Sequence, residues 1–250
     1  MQALSILREQ VCDPDEEQVK EKSAGELCAF YRMLLRLAPI IKGKPQSSVC
    51  GFPFFSHFSL QGGCFFMKVV MINGSPHKNG STAEALREVG HGLTDGGAES
   101  ELLHIGAEVV PGCRGCFACR TLQRCVIDDC VNRAAEILRH ADGMIVASPV
   151  YFSSPTGTLI SFLDRLYAAH GEVLVGKPFG SLTAARRGGT TIALTVLNQY
   201  ALVGEQSIIP SCYWCMVHGS TPEEVRADAE GMRIAYTLGK RMAEYTQRLC

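Results

Sequence analysis

Residues Lys68–Pro76 (KVVMINGSP) set the fold, because a continuous apolar run ends here in a polar turn that contains glycine and proline. A run without alternation is typical of a strand buried on both faces of a parallel sheet. The following segment Ser81–Glu84 (STAE) has the form of a capping box, which predicts a helix with Ser81 as its N-cap and Glu84 at the third helical position. A strand, a turn and a helix in this order indicate the first unit of an α/β fold.

The chain beyond this unit continues to alternate between strands and helices. Further strands are predicted over Glu99–Ile105, Gly143–Ala147 and Phe179–Ala184, with a broken last strand formed by Ser207–Ile209 and Tyr213–Val217. Helices are predicted over Asp129–His140, Leu159–Tyr167 and Thr190–Leu202. A final helix opens at Thr221, with an apolar stripe of Val225, Ala229, Met232, Ala235 and Leu238. The pattern predicts a doubly wound, five-stranded parallel sheet with helices on both faces.

Residues 1–66 lack this regularity. One helix is predicted over about Asp15–Leu37, and the Ser-, Gly- and Phe-rich segment after it shows no steady period. We therefore expect residues 1–66 to be an N-terminal appendage, poorly ordered or lying on the main body. Residues 67–250 are expected to form the main domain.

Composition excludes several classes of protein. The 250 residues include 24 basic and 25 acidic side chains, whereas nucleic-acid-binding proteins usually carry a clustered basic surplus. No apolar run approaches the ~20 residues that a membrane-spanning helix needs. Acidic residues between Asp13 and Glu21 occupy the place of a signal peptide's apolar core. We expect a cytoplasmic protein that binds neither nucleic acid nor a membrane, and its 12 cysteines indicate metal or redox chemistry.

The turn Gly74–Thr82 (GSPHKNGST), between the first strand and the first helix, could bind a phosphate group. A helix N-terminus carries unpaired N–H groups and about half a positive charge. Glycines in the turn let the backbone approach a ligand closely. Side-chain donors are supplied by Ser75, Asn79, Ser81 and Thr82. The turn matches neither the triphosphate-binding nor the dinucleotide-binding glycine pattern, and an ordinary capped helix is the alternative.

Two later loops could complete a pocket. Ser148–Pro155 follows the third strand at the carboxyl end of the sheet, where open α/β sheets bind ligands beside the switch point of strand order. Its aromatic residues, Tyr151 and Phe152, could flank a flat ring, although the loop could equally pack on its neighbours. Arg186–Gly189, after the fourth strand, could close the pocket by backbone approach.

These loops resemble those of the NADPH-dependent FMN reductase family of flavodoxin-like proteins, and the resemblance covers Met67 to about Leu249. It implies a flavodoxin-like fold and an FMN cofactor. The first loop would hold the FMN phosphate through Ser75, His77, Asn79, Ser81 and Thr82, although His77 could instead be a solvated loop residue. The second loop would face the isoalloxazine ring through Pro149, Val150, Tyr151 and Phe152, with Gly188 and Gly189 nearby.

A cysteine-rich loop, residues 112–130, carries four closely spaced thiols. They have the spacing Cys-x2-Cys-x2-Cys-x5-Cys and are Cys113, Cys116, Cys119 and Cys125. A cubane iron–sulfur cluster accepts such compact runs, structural zinc usually takes two separated pairs, and free or redox thiols are the third alternative. Cys130 is a spare thiol that could compete for a site. The distant pair Cys212 and Cys215 is expected to pack in the core.

The compact spacing is similar to that of the iron–sulfur flavoproteins, a branch of the same superfamily. That resemblance implies that Cys113, Cys116, Cys119 and Cys125 hold a [4Fe–4S] cluster that exchanges electrons with FMN, usually across the subunits of a homodimer or homotetramer. Three arginines of the loop would offset the negative charge of thiolate ligands, or would simply be solvated: Arg114, Arg120 and Arg124.

We therefore expect an FMN-dependent oxidoreductase and electron-transfer flavoprotein, with NAD(P)H as a candidate electron donor. Its redox partner would be a small molecule or a protein: a ferredoxin, a quinone or a nicotinamide. No catalytic acid, base or nucleophile is required, because FMN supplies the redox chemistry. The alternatives are a cluster-free NAD(P)H-dependent FMN or quinone reductase and a flavodoxin-like binding module with a structural zinc site.

Overall fold

A computed structural model describes residues 67–249, and their centre is a parallel sheet. Its five strands are β1 (Met67–Asn73), β2 (Ala98–His104), β3 (Gly143–Pro149), β4 (Phe179–Ala185) and β5 (Met216–His218). They lie in the order β2-β1-β3-β4-β5, and every pairing is parallel. The winding reverses between β1 and β3, so the carboxyl ends of these strands open a crevice at that point. The predicted doubly wound sheet is confirmed.

Helices cover the two faces of this sheet. They are α1 (Ser81–Asp95), α2 (Cys119–Leu122), α3 (Cys130–Arg139), α4 (Gly157–His170), α5 (Thr190–Val203), α6 (Pro222–Ala227) and α7 (Ala229–Leu249), with one 3-10 turn at Gly171–Val173. Most lie within one or two residues of the predicted positions. The short helix α2 falls inside the cysteine-rich loop, where no helix was predicted.

The side chains of β1 enter two separate hydrophobic cores. Val69 and Met71 pack in a core that includes residues of α1 and α7. Val70 and Ile72 point the other way and pack with residues of α3 and α4. All four side chains are buried. The apolar run without alternation is therefore a strand covered by helices on both faces, as predicted.

Glycines let the backbones of α1 and α7 touch. A Cβ atom added to Gly92 would overlap the carbonyl oxygen of Tyr236, and one added to Gly239 would overlap that of Val89. Side chains at these two positions would hold the helices apart. The close approach fixes the position of α1 and therefore of its N-terminus.

The last strand and the last helix differ from the prediction. Of the earlier half of the broken strand, Ile208 makes a single bridge to Phe179, and β5 itself has only three residues. The predicted final helix is divided at Asp228, whose carboxylate accepts hydrogen bonds from the backbone N–H groups of His218 (2.7 Å) and Gly231 (3.0 Å). Ala229 was predicted to lie in the buried stripe, but it is exposed at this break.

The predicted appendage, residues 1–66 with its helix over Asp15–Leu37, lies outside the described residues. Between residues 67 and 249, none of the helices combines the length and the apolar character needed to span a bilayer.

Candidate functional site

A pocket of about 850 Å³ lies at the carboxyl edge of the sheet, and we call it the edge pocket. Its wall contains eight of the residues that the sequence predicted for a mononucleotide site. These are Ser75, His77, Asn79, Ser81, Thr82, Pro149, Val150 and Tyr151. The pocket lies where the strand order reverses, as expected for an open α/β sheet.

The loop between β1 and α1 is held in place by hydrogen bonds from both sides. The Asn73 side chain accepts from the N–H of Ser75 (2.9 Å), and the Ser75 hydroxyl accepts from the N–H of His77 (3.2 Å). The carbonyl of Ser75 accepts from His104 Nε2 at the end of β2 (2.8 Å). A Cβ atom at Gly106 would overlap the same carbonyl. The loop is therefore fixed before any ligand binds.

The N-terminus of α1 is not capped as the sequence predicted. Gly80, and not Ser81, is the N-cap residue, and no side chain caps the first turn. Glu84 forms ion pairs with Arg87 and with Arg226 (3.0 Å to the latter) and does not reach back to the N-cap. A glycine cap leaves the N–H groups of the first turn directed at the edge pocket without a side-chain acceptor. An anion can take that place.

Thr82 carries a buried hydroxyl that lacks a partner. The side chain is 1% exposed, and its Oγ1 finds no hydrogen-bond partner among the described residues. Leaving a buried polar group unpaired costs about 1–3 kcal/mol. Because Thr82 also lines the edge pocket, a ligand with acceptor oxygens in that pocket would remove the cost.

The loop after β3 forms a tight turn above the edge pocket. Tyr151 and Ser154 exchange backbone hydrogen bonds (2.8 and 2.9 Å), and Phe152 and Ser153 adopt positive φ angles of 50° and 62°. The turn leaves Tyr151 against the pocket but directs Phe152 into solvent, outside the pocket wall. Phe152 is therefore not part of the pocket wall, and its contact with a flavin ring stays a prediction.

Gly188 and Gly189 also lie outside the pocket wall. Gly189 has a φ of 85°, and a Cβ atom there would lie 2.8 Å from Ser153 Oγ and 3.1 Å from Val150 Cγ1. Its contact is with the loop after β3, so it supports that loop from behind. No described atom lies within 4 Å of a Cβ built on Gly188.

Sequence reasoning missed the segment Gly219–Pro222, which closes the edge pocket beyond β5. The Gly219 N–H donates to the Ala185 carbonyl (2.9 Å), and the Thr221 hydroxyl caps α6 by accepting from the N–H of Glu224 (3.3 Å). Ala184, Ala185 and Arg186, at the end of β4, line the pocket as well. Arg186 was expected here as part of Arg186–Gly189. The rule that ligands lie beyond the carboxyl ends of the strands could also have found Ala184, Ala185 and Gly219–Pro222.

A second cavity, of about 290 Å³, lies within the cysteine-rich loop, and we call it the cysteine pocket. All four predicted ligand cysteines line it: Cys113, Cys116, Cys119 and Cys125. Among residues 67–249, no three His, Cys, Asp or Glu side chains converge closely enough to hold a metal ion in the observed conformation. The loop therefore brings the four thiols to one cavity without closing them into a ligand set.

Cys130 does not line the cysteine pocket. It is buried at the start of α3, and burial together with the charge of Asp129 raises the pKa of its thiol to about 11. A thiol that resists deprotonation is a poor metal ligand. The expected competition from Cys130 has no support in this geometry.

Arg165 forms the floor of the cysteine pocket, and no pattern in the sequence indicated this role. The side chain is 1% exposed and donates to both oxygens of Asp129 (2.6 and 2.9 Å). It also donates to the carbonyl of Ile127 (2.8 Å), and its Nε donates to Cys125 Sγ (3.3 Å). An arginine within a helix is normally expected to face solvent, so only the structure shows this buried cation beside a thiol.

A second set of hydrogen bonds holds the backbone of Cys125. The Asn132 side chain accepts from the Cys125 N–H (3.1 Å) and donates to the Cys125 carbonyl (3.0 Å). The same amide oxygen lies 2.9 Å from Nε2 of His170. Burial lowers the pKa of His170, which favours the neutral form of the ring in this position. Asn132 and Arg165 together fix the end of the loop.

The three loop arginines differ in placement. Arg114 and Arg120 line the cysteine pocket, and the Arg120 guanidinium lies 4.6 Å from the centre of the Phe117 ring. Arg124 is outside the wall and pairs with Asp128 (3.1 Å). Two of the three are therefore placed to offset charge on the thiols.

The sequence of this chain is similar to a known family and to several of its members. Residues 67–221 match the profile of NADPH-dependent FMN reductases. An iron–sulfur flavoprotein of Methanosarcina thermophila is 36% identical over 188 residues, which cover 71% of this chain and 94% of that protein. One from Methanocaldococcus jannaschii is 29% identical over 186 residues, covering 71% and 96%.

Solved structures show the same architecture at low sequence identity. A WrbA-like flavodoxin from Agrobacterium tumefaciens superposes with a TM-score of 0.55 at 17% identity, covering 74% of this chain and 99% of that one. A flavone reductase superposes with a TM-score of 0.58 at 18% identity, covering 72% and 63%. These similarities confirm the flavodoxin-like fold.

Proposed function

This chain belongs to the NADPH-dependent FMN reductase family, and on that basis we propose that the edge pocket holds FMN with its phosphate at the N-terminus of α1. The chain is a flavin-dependent oxidoreductase. Its similarity to iron–sulfur flavoproteins supports an iron–sulfur cluster as a second cofactor. When bound, FMN accepts electron pairs and the cluster exchanges single electrons.

The unpartnered hydroxyl of Thr82 carries the proposal for the phosphate. It is a buried donor in the wall of the edge pocket, beside a helix N-terminus that no side chain caps. Both features favour an anion with several acceptor oxygens. Ser75, His77, Asn79 and Ser81 line the same end of the pocket and would donate to the remaining oxygens.

The other end of the edge pocket suits a flat ring. Pro149, Val150 and Tyr151 line it, and backbone hydrogen bonds hold this loop to β4, including one from the Val150 N–H to the Ala184 carbonyl (2.9 Å). We propose that these three residues face the isoalloxazine ring. The segment Gly219–Pro222 would limit access of water from the β5 side.

The cysteine pocket fits the proposed cluster by the chemistry of its donors. Four thiols line one cavity, and thiolates are the ligands that iron–sulfur clusters require. Cys113, Cys116, Cys119 and Cys125 would be the ligands. Arg165 holds Cys125 in the pocket through the hydrogen bond from its Nε to the Cys125 sulfur. Hydrogen bonds to ligand sulfurs are also a means of tuning the reduction potential.

We propose NAD(P)H as the electron donor and a ferredoxin or a quinone as the acceptor, in a cytoplasmic homodimer or homotetramer. Stopped-flow reduction with NADPH and with NADH identifies the donor, and gel filtration with light scattering gives the assembly.

A cluster-free NAD(P)H-dependent FMN or quinone reductase is the second candidate. It is favoured by the open ligand set of the cysteine pocket in residues 67–249.

Metal and flavin contents of the full chain, purified without oxygen, test the proposal. We expect one FMN together with iron and acid-labile sulfide in equal amounts. Cys116→Ala should remove the iron and its broad visible absorption while the flavin bands remain. The matched control is Cys130→Ala, which removes a thiol outside the cysteine pocket and should keep the iron.

Each alternative gives a different result in these measurements. Flavin without iron would leave only the cluster-free reductase. Colourless protein with stoichiometric zinc would contradict the whole proposal in favour of a binding module. Iron that survives Cys116→Ala would show that the ligand assignment is wrong.

A further inference from the structure

Neither pocket includes the sequence Cys212-Tyr213-Trp214-Cys215, which lies just before β5. The prediction that both cysteines pack in the core is half right. Cys215 is buried, but Cys212 is exposed, and both are free thiols. The chain bends at all four residues, so Cys212 and Cys215 stand in a Cys-x-x-Cys spacing on one continuous bend.

We propose that Cys212 and Cys215 form a thiol–disulfide exchange site, with Cys212 as the attacking thiol and Cys215 as the resolving thiol. The substrate is a disulfide with apolar groups beside its sulfur atoms. The activity uses neither FMN nor iron, so it stands independently of the function proposed above.

Hydrogen bonds to β4 and α7 hold the chain on both sides of the cysteine pair. The Thr183 N–H of β4 donates to the Cys215 carbonyl (3.0 Å). Ser211 is held to α7 at two points: its hydroxyl donates to the Ile234 carbonyl (2.6 Å), and its carbonyl accepts from the Arg241 guanidinium (2.7 Å). The bend is therefore fixed at both ends, and Cys212 stands on a preformed surface.

The surroundings of the two sulfurs differ in a way that assigns the roles. Partial burial opposes ionisation of Cys212, but the polar groups of Thr237 and Ser211 and the charge of Arg233 outweigh it, so the pKa of this exposed thiol is lowered. Burial raises the pKa of Cys215 to about 11, and the charge of Cys212 adds to that effect. The exposed thiol is the better nucleophile at neutral pH, because the thiolate is the reactive form.

Two aromatic side chains provide the apolar surface beside Cys212. Tyr213 and Trp214 are each more than half exposed, and their ring centres are 5.0 Å apart with a tilt of 51°. Large exposed aromatics lose contact with water when they cover an apolar partner. They favour a disulfide whose neighbouring groups are flat or apolar over one with charged neighbours.

The exchange balances in two steps. The Cys212 thiolate attacks one sulfur of a disulfide RS–SR′, which forms the Cys212–SR bond and releases R′S⁻, a thiol after it takes up a proton. Cys215 then loses its proton and attacks Cys212 Sγ, which forms the Cys212–Cys215 disulfide and releases RSH. The protein dithiol is oxidised by two electrons, and the substrate disulfide is reduced to two thiols.

The test uses the full chain with its cofactors and dipyridyl disulfide, which releases a coloured thione. The wild type should show a fast phase that releases two thiones per chain, and peptide mapping should find the Cys212–Cys215 disulfide. Cys215→Ser should release one thione in that phase and keep a pyridyl adduct on Cys212. Cys212→Ser should lack the fast phase altogether. Oxidised glutathione, whose groups are charged, should react more slowly with the wild type.

A fast phase that persists in Cys212→Ser would overturn the proposal, as would a wild-type adduct on Cys212 that never passes to Cys215. The pH at which the fast phase reaches half its rate should lie below that of a free cysteine. The double variant Tyr213→Ser, Trp214→Ser should react more slowly with dipyridyl disulfide, and its reaction with oxidised glutathione should slow less. Equal slowing of the two reactions would show that the aromatic surface does not recognise the disulfide. Flavin and iron contents serve as folding controls for every variant.

Discussion

Thr82 is the residue whose environment says most about the function. Its hydroxyl is buried without a partner in the described residues, in the wall of a pocket, at the first turn of a helix. In the sequence, Thr82 and Ser81 are equivalent hydroxyl donors. The structure distinguishes them, because the buried Thr82 hydroxyl costs free energy until a ligand accepts its hydrogen bond.

Thr82→Val should therefore act in opposite directions on binding and on folding. Loss of the donor should weaken FMN binding by about 1–3 kcal/mol, since a hydrogen bond to a charged group is lost. The flavin-free protein should unfold at an equal or higher urea concentration, because the unpaired buried hydroxyl is gone. Thr94→Val, near the exposed end of the same helix, is the control and should leave the affinity unchanged. Flavin fluorescence titration and urea unfolding measure both effects, and equal affinity loss in the two variants would refute the assignment.

His170 gives the loop end a dependence on pH. Burial holds the pKa of His170 below its ordinary value, so the unfolded chain takes up a proton that the folded chain refuses. The free energy of unfolding should therefore fall as the pH decreases through the ordinary pKa, from about pH 7.5 to about pH 5.5. His170→Gln, which keeps a donor for Asn132, should lose less stability over this range. Urea unfolding at both pH values tests this, with exposed His91→Gln as control; equal losses in wild type and His170→Gln would contradict it.

Among the helices, the contact between α1 and α7 sets the position of the α1 N-terminus, where we propose that the phosphate binds. Two glycines on α1 make this contact testable. A Cβ atom at Gly92 would overlap the Tyr236 carbonyl, whereas one at Gly90 would meet only Met71 Cε at 3.7 Å and Ser100 Oγ at 3.8 Å. The same change, two residues apart, should thus have opposite effects.

We expect Gly92→Ala to destabilise the protein by about 1–3 kcal/mol or more, through the forced separation of the two helices. Gly90→Ala should stabilise it by about 0.5–1 kcal/mol, because alanine loses less backbone freedom in a helix. Thermal unfolding with matched urea curves gives both values. A stabilising Gly92→Ala would show that the helices are not in backbone contact.

The strands of the sheet could be predicted from the sequence because burial on two faces leaves a direct pattern of apolar runs. The predicted capping box at Ser81 is wrong, because Gly80 is the N-cap residue. Glu84 instead pairs with Arg226 on α6, which is 142 residues away and which no local sequence pattern indicates. Asp228 divides the last helix for the same kind of reason: its partners lie on β5 and on α7. Phe152 points outward because it lies in a tight turn with positive φ angles. These angles occur at residues other than glycine, so no glycine in the sequence marks the turn.

Across the protein, the two pockets are separate. Within residues 67–249 they share no lining residue. Helix α4 begins after the loop of the edge pocket, and Arg165 lies eight residues further along, about 12 Å at 1.5 Å per residue. The spacing of the cysteines indicated a shared cavity, but not its distance from the edge pocket, which depends on the path of the loop over α4.

Removal of one cofactor should therefore leave the other in place. Stripping FMN with concentrated bromide should not change the iron content, and chelation of the iron should not change the affinity for FMN. Added FMN at about 100 times its Kd should raise the free energy of unfolding by about 2.7 kcal/mol, with or without iron. Loss of iron on flavin removal would show that the sites depend on each other.

Separate pockets also bear on how the protein matures during nutrient shortage. A host with little iron would still produce the yellow form, which carries FMN and can accept hydride but lacks the cluster that exchanges single electrons. Riboflavin scarcity would give the reverse product, a brown polypeptide lacking the hydride acceptor. The balance between these two forms would then record which nutrient was limiting while the chain was made.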